Sequence, residues 1–357
     1  MKANESLLKT KQHFEILDGL RGIAAISVVV FHFMEIVISD YSKNFIGHGF
    51  LAVDFFFCLS GFVIGYAYDN RIDKMGIWEF FKSRMIRLHP LVIAGSVLGL
   101  LGFLINPFGL PPAIYSVGEI SIFFLCSLLL IPFPFMPDRY FNLFGLNAPA
   151  WSLFWEYVAN IFYALVLFRL SRRYLVILTI VAAAGISYVA FHTGNLMGGW
   201  SKDTFWQGCA RISYSFLAGL IVFRFNLIIK NRSGFIGLTI LLLAAFLQPY
   251  FTWNWLAELL TVAVYFPLLI ALGAGAELAP ALKKFCVFSG KISYPLYMSH
   301  YAAMWIFANW FNAYHPDQTQ LSLVIILGTL LLIGFGWLMM VVYDTPVRKY
   351  LTARRKA

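Results

Sequence analysis

Residues 321–342 read LSLVIILGTLLLIGFGWLMMVV, a stretch of 22 residues without a charged side chain. As an α-helix this stretch would be about 33 Å long, which is enough to cross the roughly 30 Å hydrocarbon core of a bilayer. Apolar runs that meet or approach this length also occur at residues 23–37, 50–66, 175–191 and 234–247. The sequence therefore predicts an all-α, polytopic membrane protein.

The composition of the chain agrees with a lipid environment. Of its 357 residues, 60% are hydrophobic and 12% are charged, whereas about a quarter of the residues in an ordinary soluble domain are charged. A membrane β-barrel would show segments of about ten residues that alternate between apolar and polar, and the blocks here do not alternate. No small-residue cleavage site follows the first run, so we expect a retained first helix rather than a signal peptide.

The net charge and the cysteines argue against two other classes of function. A charge of +10 fits the lysines and arginines that cytoplasmic loops of membrane proteins carry, so nucleic acid is not an expected partner. The four cysteines lie far apart, with neither CxxC spacing nor a nearby histidine. We therefore expect no metal site.

The basic residues form clusters separated by pairs of apolar segments, so every cluster can lie on the cytoplasmic side. This pattern predicts about ten crossings, with a cytoplasmic tail at residues 1–15, a transmembrane domain at 16–347 and a basic cytoplasmic tail at 348–357. Segments 90–105 and 117–135 both look able to cross, but counting both would place the next basic cluster outside. We expect one of them to be re-entrant or lateral, as irregular backbone buried in protein permits.

The first predicted helix carries ionisable residues on one face. Arg21 and His32 are eleven residues apart, which is three helical turns plus about 20° and a rise of about 16 Å. Glu35 lies one turn beyond His32. A charge at mid-membrane costs about 2.5 to 3.5 kcal/mol, so ionisable residues there are functional candidates. The alternative for His32 is a buried imidazole bonded to a neighbouring helix.

Asp54 lies in the second predicted helix, at a depth similar to that of His32 if the two helices run antiparallel. A carboxylate beside an imidazole orients it as a general base. We therefore take His32 as a catalytic candidate, with Asp54 or Glu35 as its partner. The alternative for Asp54 is a structural ion pair between packed helices.

Arg84 and Arg87 stand at i, i+3 spacing and so share a helical face. Two planar guanidinium groups in this arrangement suit a phosphate-bearing ligand. The alternative is the ordinary anchoring of a helix by basic residues at the cytoplasmic surface.

Two other polar sets are candidates for substrate binding. The segment from Trp151 to Glu156 opens a crossing in which Ser152, Glu156, Asn160 and Tyr163 form a polar stripe. Such a stripe in an apolar helix lines a cavity or a helix interface. Tyr297 and His300 share a face near the end of a later helix. Their side chains can bond either to backbone or to a substrate.

The ordered set of these motifs is far more specific than any single motif in it. The sequence resembles the acyltransferase-3 family of membrane O-acyltransferases from Phe14 to about Arg348, which is nearly the whole chain. The motifs that carry the resemblance are Leu17-Asp-Gly-Leu-Arg21 with His32, Val53-Asp54-Phe-Phe-Phe-Cys-Leu-Ser-Gly-Phe62, Arg84-x-x-Arg87, Trp151-Ser-Leu-x-x-Glu156 and Ser293-Tyr-x-x-Tyr297-x-x-His300.

The resemblance implies a bacterial inner-membrane enzyme of about ten helices. Such an enzyme moves an acetyl or other short acyl group from cytoplasmic acyl-CoA to a hydroxyl of an extracytoplasmic or lipid-linked glycan. It matches His32 to the histidine essential for transfer, Arg21 to its paired basic residue, and Arg84 and Arg87 to the motif linked to the acyl-CoA donor. Some relatives append an SGNH hydrolase-like domain, whereas this sequence ends at Ala357, so transfer is expected within the membrane domain or through a separate protein.

The resemblance leaves two routes open, because His32 can take the acyl group itself or deprotonate the attacking sugar hydroxyl. The main rival function is a proton-coupled secondary transporter, whose intramembrane His, Asp and Glu would relay protons. A polyprenyl-linked glycosyltransferase and a non-catalytic scaffold are weaker rivals, because the acidic residues are mainly intramembrane and a scaffold has no need of His32. The acceptor glycan and the oligomeric state stay open.

Overall fold

The structure is a computed structural model that describes residues 13–109 and 114–356. Most of the expected tail at residues 1–15 lies outside the described residues. The described part contains helices and two isolated bridges but no β-strand. The α-helices are α1 Glu15–Val37, α2 Ala52–Tyr68, α3 Ile72–Met75, α4 Ile77–Leu104, α5 Val117–Leu129, α6 Ala150–Leu165, α7 Arg172–Thr193, α8 Phe205–Arg224, α9 Gly234–Phe246, α10 Asn254–Leu260, α11 Phe266–Gly275, α12 Lys283–Ser299, α13 Tyr301–Tyr314, α14 Gln318–Met339 and α15 Thr345–Lys356.

Six helices in the described ranges are long and apolar enough to cross a membrane. Two of these six spans each consist of two α-helices joined by a π-helical turn. The turns are Thr261–Tyr265, between α10 and α11, and Met340–Asp344, between α14 and α15. Shorter apolar helices, such as α9, pack between the spans. The prediction of a polytopic helical membrane protein is confirmed.

The ambiguous region between residues 77 and 135 contains one long and one short helix. α4 has 28 residues and is therefore about 42 Å long. It begins 13 residues before Pro90, the start expected from sequence, and Pro90 lies inside it. α5 has 13 residues, about 20 Å, which is too short to cross a hydrocarbon core of roughly 30 Å. Length therefore favours α4 as the crossing segment.

Glycines allow the helices that carry the site to approach closely. A β-carbon on Gly219 of α8 would lie 1.8 Å from the carbonyl oxygen of Cys58 in α2. In the same way, a β-carbon on Gly22 of α1 would lie 1.7 Å from the hydroxyl of Ser289 in α12. Small residues at such crossings permit close backbone contact between membrane helices. As a result, α2 packs against α8 and α1 packs against α12.

The final helix extends further than the transmembrane domain expected from sequence. α15 continues the apolar α14 beyond the π-helical turn and stays helical to Lys356. Within the turn, Asp344 is buried and accepts a 2.9 Å hydrogen bond from Arg348. Residues 348–356 of the basic segment are therefore helical and continue the direction of the chain beyond the turn.

Candidate active site

Two cavities lie among the helices. The larger, about 960 Å³, is called the arginine cavity and is lined by Arg21, Arg84, Arg87, Lys291, Arg348 and Lys349, among others. The smaller, about 520 Å³, is called the histidine cavity and contains His32 and Glu35 in its lining. Val53 and Tyr297 line both cavities. The two spaces therefore lie back to back.

Arg21 is held against α12 at the arginine cavity. Its Nε donates to the Ser293 hydroxyl at 3.0 Å, and a terminal nitrogen donates to the carbonyl oxygen of Gly290 at 2.7 Å. Its terminal nitrogen also lies 3.0 Å from a carboxylate oxygen of Asp18. His32, on the same helix, stacks on the ring of His300, the residue that directly follows α12. The prediction that Arg21 and His32 share a face of α1 is confirmed.

Arg84 and Arg87 have different environments, although both line the arginine cavity. Arg84 is 5% exposed and donates to the Glu156 carboxylate at 2.8 Å. Glu156 also accepts a 3.2 Å hydrogen bond from Ser60. Arg87 is exposed and forms no ion pair with any described residue. The expected pair of free guanidinium groups is thus reduced to one, because Glu156 neutralises the other.

The charge that remains in the arginine cavity is positive. Arg21, Arg84 and Arg348 each have a carboxylate partner. Arg87, Lys291 and Lys349 have none among the residues that the structure describes, and all three line the cavity. Three unpaired cations make this space suitable for a ligand with several phosphate charges.

His32 is paired with Glu35 in the histidine cavity. Its Nδ1 is hydrogen-bonded to a carboxylate oxygen of Glu35, and the other oxygen accepts a 3.1 Å hydrogen bond from Tyr41. An ionised carboxylate can only accept, so Nδ1 donates, and in the neutral imidazole the lone pair is then on Nε2. Nε2 has no hydrogen-bond partner among the described residues. The arrangement presents a free imidazole nitrogen that can act as a base or a nucleophile.

The expected pairing of Asp54 with His32 is wrong. Asp54 and Arg211 are 0% and 1% exposed, and a terminal nitrogen of Arg211 lies 2.5 Å from the Asp54 carboxylate. Arg211 Nε donates to the other carboxylate oxygen at 3.1 Å. Asp54 points towards α8 rather than α1, and similar depth in the bilayer does not determine this direction. The alternative, a structural ion pair between helices, is what the structure shows.

His300 contacts His32 rather than an open cavity. It is completely buried and lines neither cavity. The two imidazole rings are stacked, with centroids 5.2 Å apart and planes 23° apart. His300 Nδ1 lies 3.2 Å from the carbonyl oxygen of Leu296. Of the two alternatives that the sequence left open for His300, backbone or substrate, the structure shows the contact with backbone.

The other candidates for substrate binding lie where the two cavities meet. Trp151 lines the histidine cavity, whereas Ser152 and Glu156 line the arginine cavity. The hydroxyls of Ser152 and Tyr297 are 2.8 Å apart. The sequence left a cavity and a helix interface open for this polar stripe, and its first two residues, Ser152 and Glu156, line a cavity. We call Val53, Ser152 and Tyr297 the partition.

Two arginines in the histidine cavity were missed by sequence reasoning. Arg211 lies among apolar residues in the first half of α8, far from Arg224 at the end of that helix, and this position was a usable signal for a buried partner. Arg139 lies in a proline-rich connection, at the end of the 3-10 turn Pro137–Arg139, where nothing distinguished it from a surface residue. Among the described residues, no group of three or more His, Cys, Asp or Glu side chains is placed to hold a metal ion.

Comparison with known proteins places the chain in a family. A family model described as an acyltransferase domain matches residues 14–341. The chain is 34% identical over 188 residues to Protein 2 in picA locus of Rhizobium radiobacter, which covers 50% of this chain and 95% of that protein. It is 26% identical over 357 aligned residues to O-acetyltransferase OatA of Staphylococcus aureus, covering 93% of this chain and 57% of the relative.

A third relative is peptidoglycan O-acetyltransferase OatA of Listeria monocytogenes, which is 26% identical over 322 residues, or 82% of this chain and 49% of the relative. The chain thus spans about half the length of the two O-acetyltransferases. No solved structure matches. Because the acyltransferase model matches most of the chain and the described residues form a multi-pass helical bundle, this protein belongs to the acyltransferase-3 family.

Proposed function

We propose that this protein is a membrane O-acyltransferase that moves an acetyl or other short acyl group from acyl-CoA to a hydroxyl of a glycan. The observation that carries the proposal is the back-to-back arrangement of the two cavities. One has unpaired cations, the other has the His32–Glu35 pair, and Tyr297 lines both. Both OatA relatives are named O-acetyltransferases, and the name of the Listeria relative, a peptidoglycan O-acetyltransferase, supports a glycan as the acceptor.

The arginine cavity is the proposed site of the acyl-CoA donor. Arg87, Lys291 and Lys349 supply charge for the phosphates, and the cavity of about 960 Å³ lies within the size range of cofactor sites. His32 is about 16 Å along the helix from Arg21, a distance on the order of the length of a pantetheine arm. The acyl group would therefore approach His32 across the partition.

The histidine cavity is the proposed site of transfer. In one route, Nε2 of His32 takes the proton of the acceptor hydroxyl while the oxygen attacks the thioester carbonyl. The carbon–sulfur bond then breaks, and the proton on His32 passes to the leaving thiolate, giving free CoA and an ester. In the other route, Nε2 attacks the thioester carbonyl and the carbon–sulfur bond breaks, which leaves acyl-His32 and CoA thiolate. The acceptor oxygen then attacks the acyl carbon, the bond to Nε2 breaks, and the hydroxyl proton passes to the thiolate, giving the ester and free CoA. Glu35 fixes the imidazole tautomer in both routes.

The proposed setting is a bacterial inner membrane that the chain crosses about ten times, with both termini in the cytoplasm. The arginine cavity would then face the cytoplasm, where acyl-CoA is available. Its lining includes Arg348 and Lys349 of the basic C-terminal segment, in accord with the excess of lysine and arginine on the cytoplasmic side of membrane proteins. The acceptor would bind from the opposite side, as a glycan or lipid-linked saccharide.

The test is transfer of label from radioactive acetyl-CoA by purified protein in bilayer nanodiscs. We expect wild type to release CoA and to acetylate added glycan, and His32→Ala to lose both activities while it still binds acetyl-CoA. His192→Ala is the matched control, because His192 is exposed and lies outside the lining of both cavities. Wild-type rates in His32→Ala would contradict the mechanism. Absence of acetyl-CoA binding by wild type, together with proton-coupled uptake of a solute, would favour a secondary transporter instead.

A further inference from the structure

Arg139 is a buried cation in the wall of the histidine cavity. Arg139 is only 8% exposed, and its guanidinium carbon lies 3.7 Å from the centre of the Trp305 ring. The Phe103 ring lies on it as well, at 5.2 Å. Both Arg139 and Trp305 line the cavity. A guanidinium stacked on an indole in this way is held flat, with its nitrogen edge available for hydrogen bonds.

The hydrogen-bonding capacity of Arg139 is not used by the described part of the protein. Its Nε is buried and has no hydrogen-bond partner among the described residues. The nearest carboxylate oxygen, that of Asp138, lies 3.5 Å from Nε, outside good hydrogen-bond geometry. Asp138 is exposed and is instead hydrogen-bonded by the hydroxyl of Tyr115. Asp138 thus supplies an ion-pair contact but no hydrogen bond. A buried donor such as Nε is costly without an acceptor, so a ligand that accepts from the guanidinium is favoured.

Arg211, the other arginine of this cavity, shows what a satisfied side chain looks like here. It donates to both carboxylate oxygens of Asp54 and to the carbonyl oxygens of Gly198 and Phe50, at 2.8 Å and 3.3 Å for the carbonyls. Arg211 therefore has its charge and its donors matched within the protein. Arg139 has only the 3.5 Å ion-pair contact with Asp138, and its side-chain donors have no hydrogen-bond acceptor among the described residues, so they are available to something that enters the cavity.

The rest of the lining suits a sugar. Aromatic rings of Trp151, Trp200 and Trp305 offer flat apolar surfaces, and Asn309 and Asn312 offer amide groups. A pyranose ring has an apolar face of C–H groups and a polar rim of hydroxyls, and it fits such a surface. The volume of about 520 Å³ is within the range for sites of small molecules.

We propose that the saccharide bound in the histidine cavity carries an anionic group, either a carboxylate or a phosphate, and that Arg139 binds this group. The inference rests on the proposed function, because it deepens the identity of the acceptor. A planar guanidinium binds a carboxylate or phosphate through two parallel hydrogen bonds. Glu35 lies in the same cavity and repels an anion, so the charged end of the sugar lies at Arg139 and a hydroxyl faces His32.

Direct binding tests the proposal without acyl-CoA. Tryptophan fluorescence of the purified full chain would be titrated with methyl glucuronide, with its uncharged methyl ester and with glucose 1-phosphate. We expect at least one anionic sugar to bind about tenfold more tightly than the ester, and Arg139→Gln to lose this preference. The anionic sugar that binds with the higher affinity shows whether the group is a carboxylate or a phosphate. Equal binding of all three by wild type, or no binding at millimolar concentration, would overturn the proposal.

Two further variants keep the test decisive if Arg139→Gln does not fold. Arg139→Lys retains the charge but lacks the planar pair of donors, so we expect it to bind the anionic sugar several-fold more weakly than wild type. Asp138→Asn is the matched neighbour, which leaves Arg139 intact and should keep the full preference. An unchanged preference in Arg139→Lys and Arg139→Gln would exclude Arg139 as the binding group. Since no step uses acyl-CoA, failure here differs from failure of acyl transfer.

Discussion

Tyr297 and Ser152 are joined by a 2.8 Å hydrogen bond between their hydroxyls, at the place where the arginine cavity and the histidine cavity meet. Ser152 also donates to the carbonyl oxygen of Pro149 at 3.0 Å. Since a serine hydroxyl has only one proton to donate, Tyr297 is the donor in the bond between them. This bond holds the Tyr297 ring in the partition, and we expect an acyl group that passes between the cavities to displace that ring.

Opening the partition should expose the donor to water. Tyr297→Ala removes the ring and the hydrogen bond, so we expect the two cavities to merge and acyl-CoA to be hydrolysed without transfer. The measurement is the ratio of CoA released to acyl glycan formed, which should rise about tenfold or more. Tyr297→Phe keeps the ring and should give a smaller rise.

Tyr294→Phe is the control for the loss of a tyrosine hydroxyl in the same helix. Tyr294 lines the arginine cavity and donates to the carbonyl oxygen of Leu88 at 2.6 Å, but it does not line the histidine cavity. We expect Tyr294→Phe to leave the ratio of CoA released to acyl glycan formed unchanged. If Tyr297→Ala keeps CoA release and acyl transfer tightly coupled, the ring does not separate donor from water.

The Asp54–Arg211 pair should stabilise the fold and take no direct part in transfer. Both side chains are buried, so Asp54→Asn leaves an unbalanced cation and should destabilise the protein by about 3 to 5 kcal/mol. We expect a lower Tm in detergent for Asp54→Asn and for Arg211→Gln. The double variant Asp54→Leu/Arg211→Met should recover part of the loss, because it removes both charges together.

Activity per folded molecule distinguishes this structural role from the catalytic role that the sequence predicted. At temperatures well below the Tm, we expect Asp54→Asn to retain a transfer rate within a few-fold of wild type. A rate loss as large as that of His32→Ala, in protein that is still folded, would restore Asp54 to the catalytic machinery.

Local periodicity explains why some of the site was predictable. The ends of α1 and α2 lie within two residues of the ends of their apolar runs, although α1 begins eight residues before its run. Glu35 falls one turn after His32 on any α-helix. The partner of Asp54 was not predictable, because depth in the bilayer does not say which helix is the neighbour. That choice depends on close approaches such as the one at Gly219, where α8 meets α2. Arg139 was missed because its burial comes entirely from tertiary contacts.

Arg87 and Arg84 should differ in their effect on the donor. Arg87 is unpaired among the described residues and faces the arginine cavity, so Arg87→Gln should raise the KM for acyl-CoA about tenfold with little change in kcat. Arg84→Gln leaves the Glu156 carboxylate without its 2.8 Å partner and should lower the Tm as well as the activity.

Binding and melting measurements on the two variants separate these effects. Isothermal titration with acetyl-CoA should show weaker binding and an unchanged Tm for Arg87→Gln. Arg71→Gln is a suitable control, since Arg71 is an exposed arginine outside the lining of both cavities. Equal KM values for Arg87→Gln and wild type would place the donor phosphates elsewhere.

His300 should act by positioning the ring of His32. Its Nε2 is buried without a hydrogen-bond partner among the described residues, so replacement by phenylalanine removes an unsatisfied polar atom while keeping a flat ring against His32. His300→Phe should therefore retain most of the transfer activity. His300→Ala removes the stacked ring, so the imidazole of His32 can rotate away from its productive orientation. We expect this variant to lower kcat about tenfold, with the KM for acyl-CoA unchanged. The two variants should be compared at saturating acceptor, and an equal loss in both would mean that the imidazole of His300 itself contacts the substrate.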